Sequence, residues 1–209
     1  MEYITIIIMT KSSKFSGKCV AGIDITNGKW VRLVSDDEET HGAISNEDLI
    51  CQDGRICDVL DIVNVPILKR CGNLIQPENI LIDNSKYITI EGKTKLSTVL
   101  KLHPAERRKN ILGNEYQYIT ERKVESVGHS LTLIQVDMLK IIHSQNAEGK
   151  TKTKANFRYE GYEYNNMSVT DPDFYSIPNN TIYNKAFLVV SIGTPYNDKY
   201  YKFVSKIFV

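Results

Sequence analysis

The 209-residue sequence has almost no excess of either charge, because 26 lysines and arginines face 25 aspartates and glutamates and leave a formal net charge of +1. A histone-like protein, which gathers nucleic acid through bulk electrostatics, carries a large positive excess instead. The near neutrality excludes that class. Any anionic ligand must therefore be met by a local group of cations.

Metal and nucleophile motifs are missing as well. No C-x-x-C pair, H-E-x-x-H spacing or G-x-S-x-G elbow occurs in the sequence. Two Gly-Lys-Thr triplets lack the earlier glycine of a phosphate loop. We therefore expect no metal, no cofactor and no catalytic residue. We assign loop or capping roles to the four histidines, which are His41, His103, His129 and His143.

A transmembrane segment is not evident either. The apolar run from Ile4 to Met9 is too short to span a bilayer, follows Glu2 and has no basic leader. The four cysteines, without disulfide-like spacing, are typical of reduced thiols in a cytosolic protein. We therefore read the apolar run as a first strand and expect a cytoplasmic protein with no membrane partner.

Short β-patterned runs bounded by turn formers make up most of the chain. Such runs, every eight to twelve residues, predict a sandwich or a barrel. Between two β-rich halves, Leu96, Val99 and Leu100 fall at helical spacing, and Pro104 and Gly113 bracket a second helical pattern. The sequence thus predicts a mainly β protein of two small barrels, residues 1–125 with a helical insertion and residues 126–209, joined by a short, partly helical connecting segment.

A positively charged hairpin lies near the start of the chain. Thr10 to Lys18 reads as a polar loop, and Asn27-Gly28 separates two apolar runs in the strongest short-range hairpin signal. The segment carries five cations against one acid, Asp24, whose carboxylate we expect to accept bonds from the hairpin amides. The cations are Lys11, Lys14, Lys18, Lys29 and Arg32.

Two sets of residues are candidates for ligand binding. We assign phosphate contacts to Lys11, Ser12, Lys14, Lys18 and Arg32, joined by a lysine from the segment 150–154. We assign base stacking to Trp30, Tyr159, Tyr162 and Tyr164. Two alternatives stay open: the cations form a solvated strand edge, and one face of the alternating tyrosine segment fills a core, as does Trp30.

Several sequence pieces occur together and in order along nearly the whole chain. They are K-S-x-K, C-V-A-G-I-D, G-K-W-V-R-L-V-S, L-D-I-V, Q-P-E-N, Y-x-G-x-x-Y-x-x-x-V-T-D-P and V-S-I-G-T-P-Y followed by Y-K-F-V-S-K-I-F. In these pieces the sequence resembles the prokaryotic dual OB-containing domain family. The resemblance implies two OB folds in tandem and no particular activity. OB barrels often bind single-stranded nucleic acid or oligosaccharide on one sheet face.

Our hypothesis from the sequence is a non-enzymatic protein that binds single-stranded nucleic acid or a nucleotide. It would serve as a recognition subunit of a prokaryotic defence or regulatory system, with a protein partner encoded elsewhere. One alternative, favoured by the near-zero net charge, is a protein-interaction adaptor with no nucleic-acid ligand. The other is a metal-dependent enzyme acting on nucleic acid through carboxylates such as Asp24, Asp61, Asp171 and Asp173.

Overall fold

A computed structural model describes residues 2–145 and 148–209. Met1 lies outside the described residues, as do Asn146 and Ala147 of the predicted polar loop between Gln145 and Lys154. The chain forms two compact units, Met1–Pro104 and Ala105–Val209. The boundary near residue 125 predicted from the sequence falls inside the second unit, within a short helix. In the described ranges, no helix is long and apolar enough to cross a membrane.

The first unit is a closed five-stranded barrel. Its strands pair in the order β1-β2-β3-β5-β4-β1, with β3 and β5 parallel, and a sixth strand adds to β4. The elements are β1 (Glu2–Lys14), β2 (Gly17–Asp24), β3 (Trp30–Val34), β4 (Asp61–Arg70), β5 (Asn79–Ile82), β6 (Thr89–Lys93) and α1 (Leu96–Leu102).

The second unit repeats this barrel. Its strands pair in the order β8-β9-β10-β12-β11-β8, with β10 and β12 parallel, and β7 adds to the start of β12. The elements are β7 (Tyr118–Thr120), α2 (Glu121–Val127), β8 (Leu131–Gln145), β9 (Thr151–Tyr159), β10 (Tyr162–Val169), β11 (Ile182–Tyr196) and β12 (Lys199–Phe208). Two five-stranded Greek-key barrels in tandem confirm the predicted pair of OB-like folds.

Strand alternation fills the first barrel with aliphatic side chains. Ile4, Ile6 and Ile8 point inward from β1, and the long segment between β3 and β4 adds Ile44 and Leu49 to the same cluster. Full burial of such a side chain contributes about 1.5–3 kcal/mol. Because apolar side chains fill the interior of this barrel, we expect a ligand to bind only on the outward faces or the loops.

The predicted polar loop from Thr10 to Lys18 is wrong. β1 continues through Lys14, and β2 starts at Gly17 after a tight turn. Polar residues extend the strand because each finds a partner on β2, a pairing that local sequence pattern does not reveal. Side chains along a strand alternate between its faces, so Lys11 and Lys14 point to opposite sides of the sheet.

The helix predicted between Pro104 and Gly113 is also wrong, whereas the helical pattern at Leu96 is confirmed by α1. In this segment, backbone amides that would donate within a helix instead donate to acceptors on the second barrel. The amide of Glu106 donates to the Leu133 carbonyl at 2.7 Å, and that of Arg108 donates to the Tyr159 hydroxyl at 2.9 Å. A single short 3-10 turn, Ile111–Gly113, is present in this part of the described chain.

Candidate nucleic-acid interface

Lys11 is engaged by protein groups. Its Nζ lies 3.0 Å from Asp58 Oδ1 and donates to the Cys57 carbonyl at 2.9 Å, and its side chain is 21% exposed. Burial opposes ionisation of Asp58, but the hydrogen bonds from Lys11 and the Val59 amide, together with the charges of Lys11 and Lys93, hold the pKa of that carboxyl below its usual range. Lys18 occupies the same face of the hairpin and pairs through its backbone with Ile44.

The other predicted phosphate contacts share the opposite face of the hairpin. Ser12 and Arg32 are both only 3% exposed, and Arg32 Nη1 lies 3.4 Å from Cys19 Sγ. Lys14 donates to the His41 carbonyl at 2.6 Å, and burial, together with the Arg32 charge, lowers the pKa of its ammonium. The structure thus divides the five predicted residues between two faces, and their phosphate-binding role stays a prediction.

Three of the four predicted stacking rings are packed inside the protein. Tyr159 is 3% exposed and Tyr164 is 1% exposed, and their hydroxyls accept bonds from the amides of Arg108 and Ile111. The ring of Trp30 is buried as well. Tyr162 is half-buried, so it keeps accessible ring surface, and its stacking role stays a prediction.

An open face rich in cations lies on the second barrel. Along β9 the odd-numbered residues from Thr153 to Tyr159 are buried, and the even-numbered ones point outward. This period of two is the expected pattern of a strand with one face on a core. The outward residues of β9 are Lys152, Lys154, Asn156 and Arg158, beside Lys140 on β8 and Asn165 on β10.

One end of this face forms a groove of about 400 Å³, which we call the lysine groove. Among the described residues that line it, none is acidic, two are lysines, two are aromatic and five carry hydroxyls. The lining residues are Thr151, Lys152, Thr153, Lys154, Ser168, Val169, Thr170, Tyr175 and Phe203. Cations, hydroxyl donors and aromatic rings are the groups that hold single-stranded nucleic acid in proteins.

The two groove lysines lack a counter-charge. Lys154 Nζ donates to Ser168 Oγ at 2.7 Å, and within residues 148–209 neither Lys152 nor Lys154 forms an ion pair. Burial, and next the charge of Lys152, lowers the pKa of Lys154. Two adjacent, uncompensated ammonium groups repel each other, and a bound phosphate would relieve that repulsion.

A buried aspartate holds the aromatic side of the lysine groove. Asp171, 1% exposed, caps the short 3-10 helix that precedes Tyr175, and its carboxylate also accepts from the Ile207 amide at 2.9 Å and pairs with Lys206 at 3.3 Å. Tyr175 itself is 44% exposed. The turn that presents this ring is thereby tied to β12 by charge-assisted hydrogen bonds.

A second concavity, of about 230 Å³, lies further along the same face. It is lined by Met138, Lys140, Asn156, Phe157, Arg158, Glu163, Asn165 and Ile182. Arg158 is paired with Glu163 at 3.0 Å, and the Oδ1 atom of Asn156 accepts from the Asn166 amide at 2.7 Å. The face therefore offers amide and cationic donors beyond the lysine groove.

Sequence reasoning missed most of this face. The predicted polar loop from Gln145 to Lys154 is wrong at its end, because β9 starts at Thr151. The pattern T-K-T-K-A-N-F-R-Y contains the signal, because β-branched threonines alternate with outward lysines and lead into an apolar alternation. The sequence predicts one lysine from segment 150–154 at the site. It does not predict that Lys152 and Lys154 share one face of the strand.

The carboxylates considered for catalysis have structural partners. Asp24 accepts from the amide of Thr26 and the side chain of Asn27, each at 2.8 Å, which confirms its predicted role in the hairpin. Across the described residues, no group of three or more histidine, cysteine, aspartate or glutamate side chains is placed to hold a metal ion. The four cysteines are free thiols.

Comparisons with known proteins found similar solved structures and one matching family model. Two solved structures are similar to the chain over its full length: a murine DNA-binding protein bound to double-stranded DNA (5% identity, 94% of that chain, TM-score 0.39) and the tetrameric p202 HIN2 (9% identity, 95% of that chain, TM-score 0.34). No curated protein matches the sequence. The family model described as the dual OB-containing domain matches residues 4–207, and the chain belongs to that family.

Proposed function

We propose that this protein binds single-stranded nucleic acid on the outward β8–β9–β10 face of its second barrel. The observation that carries the proposal is the lysine groove, where Lys152 and Lys154 lie beside the rings of Tyr175 and Phe203 without an acidic neighbour among the described lining residues. This is the sheet face that OB barrels often use for oligonucleotides.

The chemistry of the groove fits a sequence-tolerant ligand. Each phosphate contact contributes through counterion release, and each stacked base contributes about 1–3 kcal/mol. Ser168 and the groove threonines add hydroxyl donors for phosphate or sugar oxygens. Because the overall charge is only +1, attraction must come from this local patch, and binding should weaken strongly as salt rises.

The test is a fluorescence-anisotropy titration of a labelled oligothymidine at several salt concentrations. The double variant Lys152→Glu and Lys154→Glu should lower affinity at least about tenfold at low salt, since two phosphate contacts become repulsive. The matched control is Lys69→Glu with Arg70→Glu, the same charge change at two exposed positions of β4. The proposal would be contradicted if the wild type showed no salt-dependent binding, or if both double variants lost the same affinity for the oligonucleotide.

A protein-interaction adaptor is the second candidate. The large apolar side chains that the first unit exposes include Leu68 at 56%, Leu74 at 71% and Tyr87 at 67%. Exposed apolar surface often marks a protein interface. The same titration separates the candidates, because an adaptor without a nucleic-acid ligand shows no salt-dependent affinity for the oligonucleotide. Service as a recognition subunit in a defence or regulatory system stays a prediction.

A further inference from the structure

A row of tyrosines lies on the outward face of β7 and β12. The ring centroids of Tyr116 and Tyr118 are 6.5 Å apart, and those of Tyr118 and Tyr201 are 5.8 Å apart. Lys199 Nζ lies 4.3 Å from the centre of the Tyr118 ring. We call Tyr116, Tyr118 and Tyr201 the tyrosine row. None of these rings has a part in the barrel interior, so their clustering needs a different explanation.

The tyrosine row continues the lysine groove along one strand. On β12 the half-buried residues Lys199, Tyr201 and Phe203 alternate with buried ones and so share the outward face. Alternate residues of a strand are about 6.8 Å apart. Phe203 lines the lysine groove, so the step from the groove to Tyr201 is one such interval.

Hydrogen bonds of Gln117 fix the backbone between Tyr116 and Tyr118. Gln117 donates from Nε2 to the Asn165 carbonyl on β10 at 2.7 Å, and its own carbonyl accepts from the Lys202 amide on β12 at 2.8 Å. The Phe203 ring lies against Gly193, where an added Cβ would stand 2.5 Å from a ring carbon. Rings held in this way lose little conformational entropy when a flat ligand stacks on them.

We propose, on the basis of the function proposed above, that the tyrosine row is a stacking track for the unpaired bases that leave the lysine groove. The nucleic-acid strand would place phosphates at Lys152 and Lys154 and successive bases on Phe203, Tyr201, Tyr118 and Tyr116. A protein partner is the other class of ligand that aromatic rows bind. The continuity with an uncompensated cationic groove, and the cation over Tyr118, favour a polyanion with flat bases.

The test compares oligothymidines of about 4 and about 12 nucleotides, a range that spans common OB-fold site sizes. Tyr116→Leu and Tyr201→Leu keep apolar packing but remove the ring face. Each should weaken binding of the longer oligonucleotide about tenfold and leave the shorter one unchanged, because the shorter one fills the groove without reaching the row. Tyr87→Leu, at an exposed tyrosine of the first unit, is the matched control and should change neither.

An abasic oligonucleotide identifies the contact as base stacking. A long oligonucleotide with abasic sites outside the groove-binding part should bind the wild type at least as weakly as the intact one binds Tyr201→Leu, and adding Tyr201→Leu to the abasic change should cost nothing more. Wild-type binding that does not increase with length, or tyrosine variants that bind the long oligonucleotide normally, would overturn the stacking track while leaving the groove proposal standing. Loss of the groove-lysine effect would instead overturn the proposed function.

Discussion

The two barrels share a topology but use the same outward face in opposite ways. In the first barrel, outward positions of β2 and β3 are mostly apolar and buried, and the one arginine among them is enclosed. They are Cys19, Ala21, Ile23, Trp30 and Arg32. In the second barrel, the matching strands carry exposed or half-exposed polar side chains, including Lys152, Lys154, Asn156, Arg158 and Asn165.

The difference teaches that barrel topology does not decide where a ligand binds. The end of α1 packs on the first barrel's face, where the His103 ring meets the Trp30 ring edge-on at 5.3 Å and the Leu102 carbonyl lies against Gly28. The hairpin of highest local charge therefore supports packing. In the second barrel, the cations stand on an uncovered strand, and they remain available to a ligand.

The largest expected effect is on the free energy of unfolding and comes from comparing Arg32 of the first barrel with Arg158 of the second. Arg32→Gln replaces a side chain that is 3% exposed and should lower the free energy of unfolding by about 3 kcal/mol, because the shorter amide loses the contact of Arg32 Nη1 with Cys19 Sγ and leaves a polar group buried. Arg158→Gln breaks an exposed pair with Glu163 and should cost less than about 1 kcal/mol. Urea unfolding measures both, and equal costs would break the comparison.

The interiors of the barrels differ as well, and pH exposes the difference. Lys202, 1% exposed, points into the second barrel and donates to the carbonyls of Ile111 and Asn114 and to the Asn114 side chain, at 2.6 to 2.7 Å. Burial lowers the pKa of its ammonium from 10.5 to about 7. Among the described residues of the first unit, no lysine is buried.

The unfolded chain therefore binds a proton at Lys202 that the folded chain releases above about pH 7. Stability should rise with pH between about 7 and 10.5, by up to about 1.4 kcal/mol per pH unit from this group. Lys202→Met should remove that slope, whereas Lys101→Met on exposed α1 should keep it. Unfolding by urea at several pH values measures the slopes. Equal slopes for the wild type and Lys202→Met would contradict the assignment.

Tyr159 and Tyr162, two of the predicted stacking residues, differ in burial and should therefore respond differently to loss of the hydroxyl. Tyr159→Phe keeps the ring but removes the hydroxyl that bonds the Arg108 amide and the Glu106 carbonyl, so it should destabilise the protein by about 1–2 kcal/mol without changing oligonucleotide affinity. Tyr162→Phe, at a half-buried ring, should be near neutral. Thermal unfolding and anisotropy titration of both variants check this. An affinity loss in Tyr159→Phe at unchanged stability would instead show that the Tyr159 hydroxyl contacts the ligand.

Local signals were enough to predict several elements correctly. The Asn27-Gly28 turn gave the hairpin of β2 and β3, since both residues tolerate positive φ, and the helical spacing at Leu96 gave α1. The resemblance to a known family supplied the closed, tandem barrels, which local patterns left between sandwich and barrel. Closure depends on β1 pairing with β4, a contact between distant segments that no local pattern contains.

The candidate site was harder to predict, because it depends on which face of a strand is covered. Charge density drew attention to the segment around Lys11 and Lys14, and the strand alternation that separates them followed from the unrecognised extension of β1. The burial of Trp30 depends on packing against the end of α1, a helix that lies far away in sequence. The alternation of outward and inward side chains around Lys152 and Lys154 can be predicted from the sequence. Their exposure to solvent cannot, because it depends on what covers that face.

The smallest expected effect, a change in salt dependence, tests the contrast between the barrels most directly. Each lysine that contacts a phosphate adds about 0.7 to the slope of log affinity against log salt for a single strand. Lys154→Gln should reduce the slope by about that amount, because its ammonium has no protein counter-charge among residues 148–209. Lys11→Gln should leave it unchanged, since Asp58 holds that ammonium at 3.0 Å. A reduced slope in Lys11→Gln would show that the first barrel also meets the strand, and the division of roles between the barrels would then be wrong.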